Sequence, residues 1–184
     1  AQELGVRLPF ANDTHVLAEP VKVRSFLIHN RLGIAPMEGA DSTADGRPTD
    51  YTIRRYCNEA KGGAGIIWYE AVSLVEEGRS SKTQLLLTSR TLDDFKRMNE
   101  QVKETGLKAN GFEPLLVMQA NHSGRYSNPG NVPHPLIAQR NAWLETFRPA
   151  SDCDIVTDDY LQSMEEKFGE GALLAKEAGF DAVD

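Results

Sequence analysis

The sequence predicts an α/β protein with parallel strands and flanking helices. Two segments of strand length, residues 64–69 and 114–119, are apolar almost throughout rather than in alternation. Continuous apolarity indicates a strand that is buried on both faces, as in a parallel sheet covered by helices. Helical patterns lie between such segments, and strand–helix units follow one another three times before a fourth strand begins. This order is typical of the α/β class.

The first part of the chain contains a lead-in, a hairpin and a helix. Residues 1 to about 20 are rich in turn formers and are predicted as a lead-in segment. The apolar residues 25–28 and 32–35 flank a short polar stretch, which predicts a hairpin feeding the first core strand. A helix with one apolar stripe follows from about Asp50, and Gly62-Gly63 ends it.

The middle of the chain predicts two further strands around a second helix. The strand that begins with residues 64–69 is predicted to end at Glu70-Ala71-Val72-Ser73, and a long polar loop follows. Thr91 and Asp94 resemble the capping pair that opens a helix, and this helix is predicted to close at Gly106. Residues 114–119 form the third strand.

The last third of the chain predicts a long loop, a helix and the start of a fourth strand. The loop runs from Ala120 to about Ile155 and contains several prolines. A loop of that length is normally functional or carries a small structural insert. Thr157 caps a helix that runs to about Lys176, and residues 179–184 are typical of a strand that is beginning.

Composition and charge exclude several classes of partner. The 184 residues are 40% hydrophobic and 26% charged, with a formal net charge of −7. A negative chain argues against nucleic acid or an anionic membrane as the main partner. No apolar run approaches the roughly 20 residues of a membrane span, and the first residues show no secretory signal. Cys57 and Cys153 lie in no paired motif, which favours the reducing cytoplasm. The histidines lack metal-ligand spacing, so no metal site is predicted.

The segment from Asn30 to Gly39 is the first candidate site. Its apolar half reads as a strand, but Pro36 removes a ladder donor and Gly39 permits backbone angles that other residues resist. Ligands of parallel α/β sheets bind at the carboxyl ends of the strands. The segment is therefore either part of a ligand site or simply a strand that stops and turns.

Five motifs in order carry a resemblance to a known family. They are Ile34-Ala35-Pro36-Met37, Asp45-Gly46-Arg47-Pro48-Thr49, Gly62-Gly63-Ala64-Gly65-Ile66-Ile67, Glu70-Ala71, and Gln119 with His122-Ser123-Gly124-Arg125. Ala178-Gly179-Phe180-Asp181 extends the series. The chain resembles the Old Yellow Enzyme family from about Asn30 to Asp184. The resemblance implies the N-terminal half of a (β/α)8 TIM barrel, so that residues 1–184 form a partial FMN-binding domain ending at the start of strand four.

The resemblance also implies which residues contact the flavin of FMN. Pro36, Met37 and Glu38 follow strand one, Ala71 ends strand two and Gln119 ends strand three. A small residue at position 71 lets the ring approach the backbone, and an amide at position 119 can donate and accept at the pyrimidine edge. Ala71 could equally be a small core residue, and Gln119 a partner of loop backbone groups.

His122 and Arg125 are implied on the substrate side of the pocket. The alternatives are a capping or packing role for His122 and a surface ion pair for Arg125. Glu38 departs from the family, which often has Thr, Cys or Gly at this position. A carboxylate only accepts hydrogen bonds, and its charge disfavours an anionic reduced flavin. Glu38 therefore turns away from the ring, is protonated, or gives this protein a different redox tuning.

The activity implied by the resemblance is an FMN-dependent oxidoreductase that uses NADH or NADPH to reduce a small-molecule alkene. In the family the residues that bind the substrate carbonyl follow strand four, so no catalytic residue is assigned and the 184 residues alone are expected to be inactive. The alternative is a non-catalytic half barrel whose open sheet edges make it a homo-oligomer. A Schiff-base aldolase is disfavoured because no lysine lies at the three strand ends.

Overall fold

The computed structural model describes Gly5 and residues 11–184, apart from the side chain of Cys153. Most of the predicted lead-in before residue 11 lies outside this range. The central sheet is parallel, with the strand order β3 (Gly33–Ile34), β4 (Ile66–Ser73), β5 (Leu115–Asn121) and β6 (Ala182–Val183). Its connections contain the helices α1 (Asp50–Lys61), α2 (Leu92–Asn110) and α3 (Asp158–Glu177). The predicted α/β class, with parallel strands and flanking helices, is confirmed.

A separate antiparallel hairpin precedes the sheet, in a different place from the predicted one. It joins β1 (Val21–Val23) to β2 (Phe26–Ile28). The predicted pairing of residues 25–28 with 32–35 is wrong, because β3 pairs in parallel with β4 instead. The side chain of Asn30 explains the difference. Its Nδ2 donates to the Gly63 carbonyl (2.7 Å) and its Oδ1 accepts from the Gly65 N–H (2.9 Å), which directs the chain along β4.

Helix α1 forms where the sequence predicts it. Thr49 is the N-cap, and its hydroxyl and that of Thr52 each accept a hydrogen bond from the other residue's backbone N–H. Such a reciprocal box satisfies N–H groups that have no partner within the helix. Gly62 and Gly63 end the helix, and Gly63 has a φ of +85°, which favours glycine.

Helix α2 begins after Thr91, as predicted, but ends later than predicted. The Thr91 hydroxyl makes no capping bond to the helix; it accepts from the Thr88 N–H (2.9 Å) and donates to the Leu86 carbonyl (2.7 Å). The helix continues past Gly106 to Asn110, so the predicted end is wrong. A Cβ on Gly106 would lie 2.6 Å from Cδ of Pro114. Glycine is present there because the following strand packs closely against the helix.

The remaining elements confirm the predicted order. Strand β4 runs to Ser73, the last of the four residues in which its end is predicted, and Ser73 exchanges backbone hydrogen bonds with the segment 85–87. Thr157 caps α3 as predicted, with its side chain accepting from the Tyr160 N–H. The fourth strand pairs with β5 through Val117 and Met118. The loop after β5 contains three short 3-10 helices, at Gly124–Tyr126, Leu144–Thr146 and Asp152–Asp154.

An aromatic stack forms the centre of the core between the sheet and the helices. The rings of Tyr56 and Tyr69 stack with centroids 3.8 Å apart, and Phe180 packs edge-on against Tyr69. Because the strands are parallel, the carboxyl ends of β3, β4 and β5 lie together at one edge of the sheet.

Two helical glycines give opposite expectations for stability. Gly106→Ala should destabilise the protein by about 2 kcal/mol, because the added methyl overlaps Pro114. Gly169→Ala on exposed α3 should stabilise it by about 0.5–1 kcal/mol, since a Cβ there meets no described atom within 4 Å. Urea unfolding measures both, and equal effects would contradict the packing explanation.

Candidate active site

Three predicted site segments meet at the carboxyl edge of the sheet. Ala71 and Gln119 are direct neighbours across β4 and β5, after an irregularity in register that begins at Trp68. Pro36 and Met37 follow β3, which lies on the other side of β4. The Met37 side chain is 79% exposed, so a large apolar group faces outward beside the strand ends. The Gln119 amide donates to Oδ2 of Asp184 at 3.3 Å.

The buried carboxylate of Glu70 joins the first two strand ends to α1. Glu70 is 1% exposed. One oxygen accepts from the Gly39 N–H (3.1 Å), and the other accepts from Arg55 (2.5 Å) and the Tyr56 hydroxyl (3.1 Å). Burial raises the pKa of Glu70, while Arg55 opposes that rise. Because a buried charge needs partners of this kind, the loop after β3 is held where β4 ends.

Glu38 turns its carboxylate toward the segment that follows β4. It accepts from the Ser80 hydroxyl (2.9 Å) and from Nε2 of Gln84 (3.2 Å). Gln84 is fully buried, and its Nε2 also donates to the Ala71 carbonyl (3.0 Å). Gln84 is not among the residues predicted for the site, although an amide directly before three leucines is a visible signal of a buried polar role.

A cavity of about 350 Å³ opens beside the first strand end. It is lined by Ala35, Met37, Glu38 and Trp68 together with residues of α1. Glu59 is one of these α1 residues, and both Nε1 of Trp68 and Oε2 of Glu59 are buried without a hydrogen-bond partner among the described residues. Buried polar atoms normally have partners, so the cavity suits a ligand with polar edges. A larger cavity, of about 810 Å³, lies between α3 and the segment after β4 and includes none of the predicted site residues.

His122 uses both ring nitrogens. Its Nδ1 accepts from the Gly124 N–H (3.0 Å), so the neutral ring carries its proton on Nε2 and donates to the Tyr160 hydroxyl (2.9 Å). Tyr160 in turn donates to Glu77. Burial lowers the pKa of His122 and raises the pKa of Tyr160 to about 12. These contacts fit the packing alternative for His122, and its substrate-side role stays a prediction.

Arg125 is buried within its own loop. Its Nη1 donates to Glu145 (2.9 Å) and to the Arg148 carbonyl (2.8 Å). The surface location considered for this ion pair is wrong, because the side chain is almost inaccessible to solvent. These contacts close the loop between residues 124 and 148. A substrate-side role for Arg125 also stays a prediction.

Comparison with known proteins identifies the family. Residues 16–184 match the model of the NADH:flavin oxidoreductase / NADH oxidase family. The chain belongs to this family. This match confirms the predicted resemblance to the Old Yellow Enzyme family. Members of the family use FMN with a reduced nicotinamide.

Two curated relatives illustrate the match to NADH:flavin oxidoreductases. Cinnamate reductase of Clostridium sporogenes is 31% identical over 172 residues, which are 92% of this chain and 25% of the relative. NADPH dehydrogenase of Bacillus subtilis is 27% identical over 171 residues, which are 91% of this chain and 47% of the relative. The chain therefore spans half or less of the length of these curated relatives.

Solved structures confirm the fold. The Old Yellow Enzyme homologue from Zymomonas mobilis superposes with a TM-score of 0.71 at 21% identity, covering 91% of this chain and 47% of that one. Morphinone reductase in complex with tetrahydroNAD gives a TM-score of 0.74 at 22% identity, with coverage of 91% and 48%. The four strands therefore correspond to about half of a TIM barrel, as predicted.

In the described part of the chain, none of the helices combines the length and the apolarity of a membrane span. No three His, Cys, Asp or Glu side chains there cluster as metal ligands would.

Removing the charge of Glu70 should destabilise the fold, because its carboxylate joins β4 to α1 and to the loop after β3. Glu70→Gln should lower the free energy of unfolding by about 3 kcal/mol, because an amide NH2 faces a donor in place of an acceptor and Arg55 loses a buried partner. Urea unfolding measures the change. Glu100→Gln, on the exposed face of α2, is the matched control and should change stability little. Equal effects of the two substitutions would contradict the role given to Glu70.

His122 should make folding stability depend on pH. Because the folded pKa lies below the ordinary value of about 6.5, the contribution of the neutral ring is fully present above pH 6.5 and is lost as the pH falls through the folded pKa. The difference in unfolding free energy between the parent and His122→Gln should therefore shrink as the solution is acidified from pH 7 to 5. His15→Gln, at an exposed position, is the control. A difference that stays constant with pH would contradict this expectation.

Proposed function

We propose that the protein is an FMN-dependent oxidoreductase that takes electrons from NADH or NADPH and reduces an activated alkene. The observation that carries the proposal is the meeting of Met37, Ala71 and Gln119 at one edge of the sheet in a member of a flavin-dependent family. When bound, FMN supplies the hydride-transfer chemistry, while the protein positions and polarises the reacting groups.

The residues at this edge suit the parts of a flavin. Pro36 and the exposed Met37 offer an apolar surface to a flat ring. Ala71 is small enough for a close approach to the backbone, and its neighbour Gln119 can donate and accept at a carbonyl–N–H edge. Trp68 lines the cavity beside the first strand end, and its Nε1 is a donor that has no partner among the described residues. Glu38 accepts hydrogen bonds from Ser80 and Gln84, so its carboxylate is held against the segment that follows β4.

The substrate side is assigned to the loop after β5. His122 has its tautomer set by Gly124 and keeps its proton on Nε2, and Arg125 braces the loop that carries it. A cinnamate reductase and a morphinone reductase among the similar proteins support a small unsaturated substrate. The two isolated cysteines support a cytoplasmic location.

We infer that the 184 residues alone do not turn over substrate. They correspond to 47% of the length of an NADPH dehydrogenase, and the residues assigned above hold a flavin without polarising a substrate carbonyl. The second candidate function is a non-catalytic half barrel that pairs with another copy. It is favoured by β3 and β6, which each have one strand neighbour within the described sheet. Light scattering separates the two, because a flavin-bound monomer would argue against the assembly.

Flavin binding tests the proposed function directly. The protein should quench FMN fluorescence with one-to-one stoichiometry, and Ala71→Leu should raise the Kd at least about tenfold because the larger side chain occupies the ring's place. Ala142→Leu, at an exposed loop position, is the matched control and should bind as the parent does. A parent that binds no FMN would overturn the proposed function. Reduction of an enone by the 184 residues alone would overturn the inferred inactivity.

A further inference from the structure

We propose that Gln84 is a positioning residue of the flavin site, acting on it through Glu38. This proposal rests on the proposed function, because it concerns the same strand ends. Gln84 lies in the segment after β4, outside every strand and helix of the fold. Its side chain nevertheless connects the loop after β3 to the end of β4, which are two of the three places assigned to the flavin.

The amide of Gln84 is fully engaged. Its Nε2 donates to the carbonyl of Ala71 (3.0 Å) and to Oε1 of Glu38 (3.2 Å), and its Oε1 accepts from the Ser80 N–H (2.7 Å). A primary amide has two N–H donors and one carbonyl acceptor. Glutamate cannot replace it, since an ionised carboxylate has no hydrogen to donate. Leucine would leave the Ala71 carbonyl and Glu38 without this donor.

A buried arginine holds Gln84 in place. Arg79 is fully buried, and its Nη2 donates to the backbone carbonyls of Gln84 (2.6 Å) and Lys82 (2.7 Å). Its Nη1 donates to the Ala44 carbonyl and to Glu76. Burying a guanidinium is costly unless it is paired and hydrogen-bonded in this way. These hydrogen bonds fix the position of the Gln84 backbone, from which the side chain extends to the strand ends.

The arrangement determines where the charge of Glu38 lies. Glu38 directly follows Met37, so any rotation of its carboxylate moves a negative charge relative to the exposed apolar surface assigned to the ring. Gln84 and Ser80 each donate a hydrogen bond to this carboxylate and hold it against the segment that follows β4. Without the Gln84 amide, the carboxylate is released to approach the ring, where its charge disfavours the reduced flavin anion. The residue thus affects the flavin without touching it.

A charge exchange between two positions tests the proposal. Gln84→Glu places a second carboxylate against Glu38, and two adjacent carboxylates repel unless one is protonated. We expect the FMN Kd to rise about tenfold at pH 8 and to return toward the parent value at pH 5.5. The double variant Glu38→Gln with Gln84→Glu restores the donor–acceptor pair between positions 38 and 84 with the roles reversed, while both variants lack the donor to the Ala71 carbonyl. The Kd of the double variant should therefore be at least about threefold lower than that of Gln84→Glu at pH 8 and should change little between the two pH values.

Two further measurements separate positioning from simple stabilisation. The flavin reduction potential should fall in Gln84→Glu and recover in the double variant, whereas a purely structural role moves the melting temperature alone. In the protein without flavin, hydrogen exchange of a peptide covering residues 36–42 should quicken in Gln84→Glu and recover in the double variant. Gln101→Glu, on the exposed face of α2, adds the same charge away from the site and should match the parent.

The outcomes that overturn the proposal are distinct from those that overturn the function. An unchanged FMN Kd and pH profile in Gln84→Glu would show that the residue does not position the site. A double variant as impaired as the single one would show that Glu38 does not mediate the effect. A parent that binds no FMN would remove the proposed function and the flavin part of this inference. Unchanged hydrogen exchange would then remove the positioning role as well.

Discussion

The arrangement at the carboxyl ends of the strands depends on the buried carboxylate of Glu70. It lies in the second half of β4, and its partners are the Gly39 N–H from the neighbouring loop and Arg55 and Tyr56 from α1. A carboxylate with 1% exposure is tolerated only when each oxygen is bonded. One side chain therefore holds a helix, a strand and a loop at a common point. The loop it holds carries the proposed ring contacts.

A second set of contacts joins the loop after β3 to the segment after β4. The Leu86 N–H donates to the Gly46 carbonyl (3.0 Å), and the Ser42 N–H donates to that of Thr83. Gly46 has a φ of +85°, and a Cβ there would lie 2.3 Å from Cβ of Leu86, so only glycine allows this approach. The candidate site is thus built from two interlocked loops. Hydrogen bonds of this kind between the loops are the support that a preorganised binding site needs.

The local chemistry of the chain predicted most of the elements but not their ends or all their pairings. Continuous apolar segments and a capping threonine at position 157 were sufficient for the strands and α3. Gly106 was misread because glycine usually ends a helix, whereas here it makes room for Pro114. The hairpin was misread because the register of short apolar segments depends on the distant partners of Asn30. Neither contact is visible in a local pattern.

The sequence by itself determined the fold class, the family and the order of the strand ends, because periodicity and motifs are properties of neighbouring residues. Only the tertiary structure decided which side chains meet. It placed Ala71 beside Gln119, turned Glu38 toward Gln84, and buried Arg125 in its own loop. These outcomes depend on hydrogen bonds between residues tens of positions apart. Such bonds form because a buried polar group must find a partner, wherever the chain supplies one.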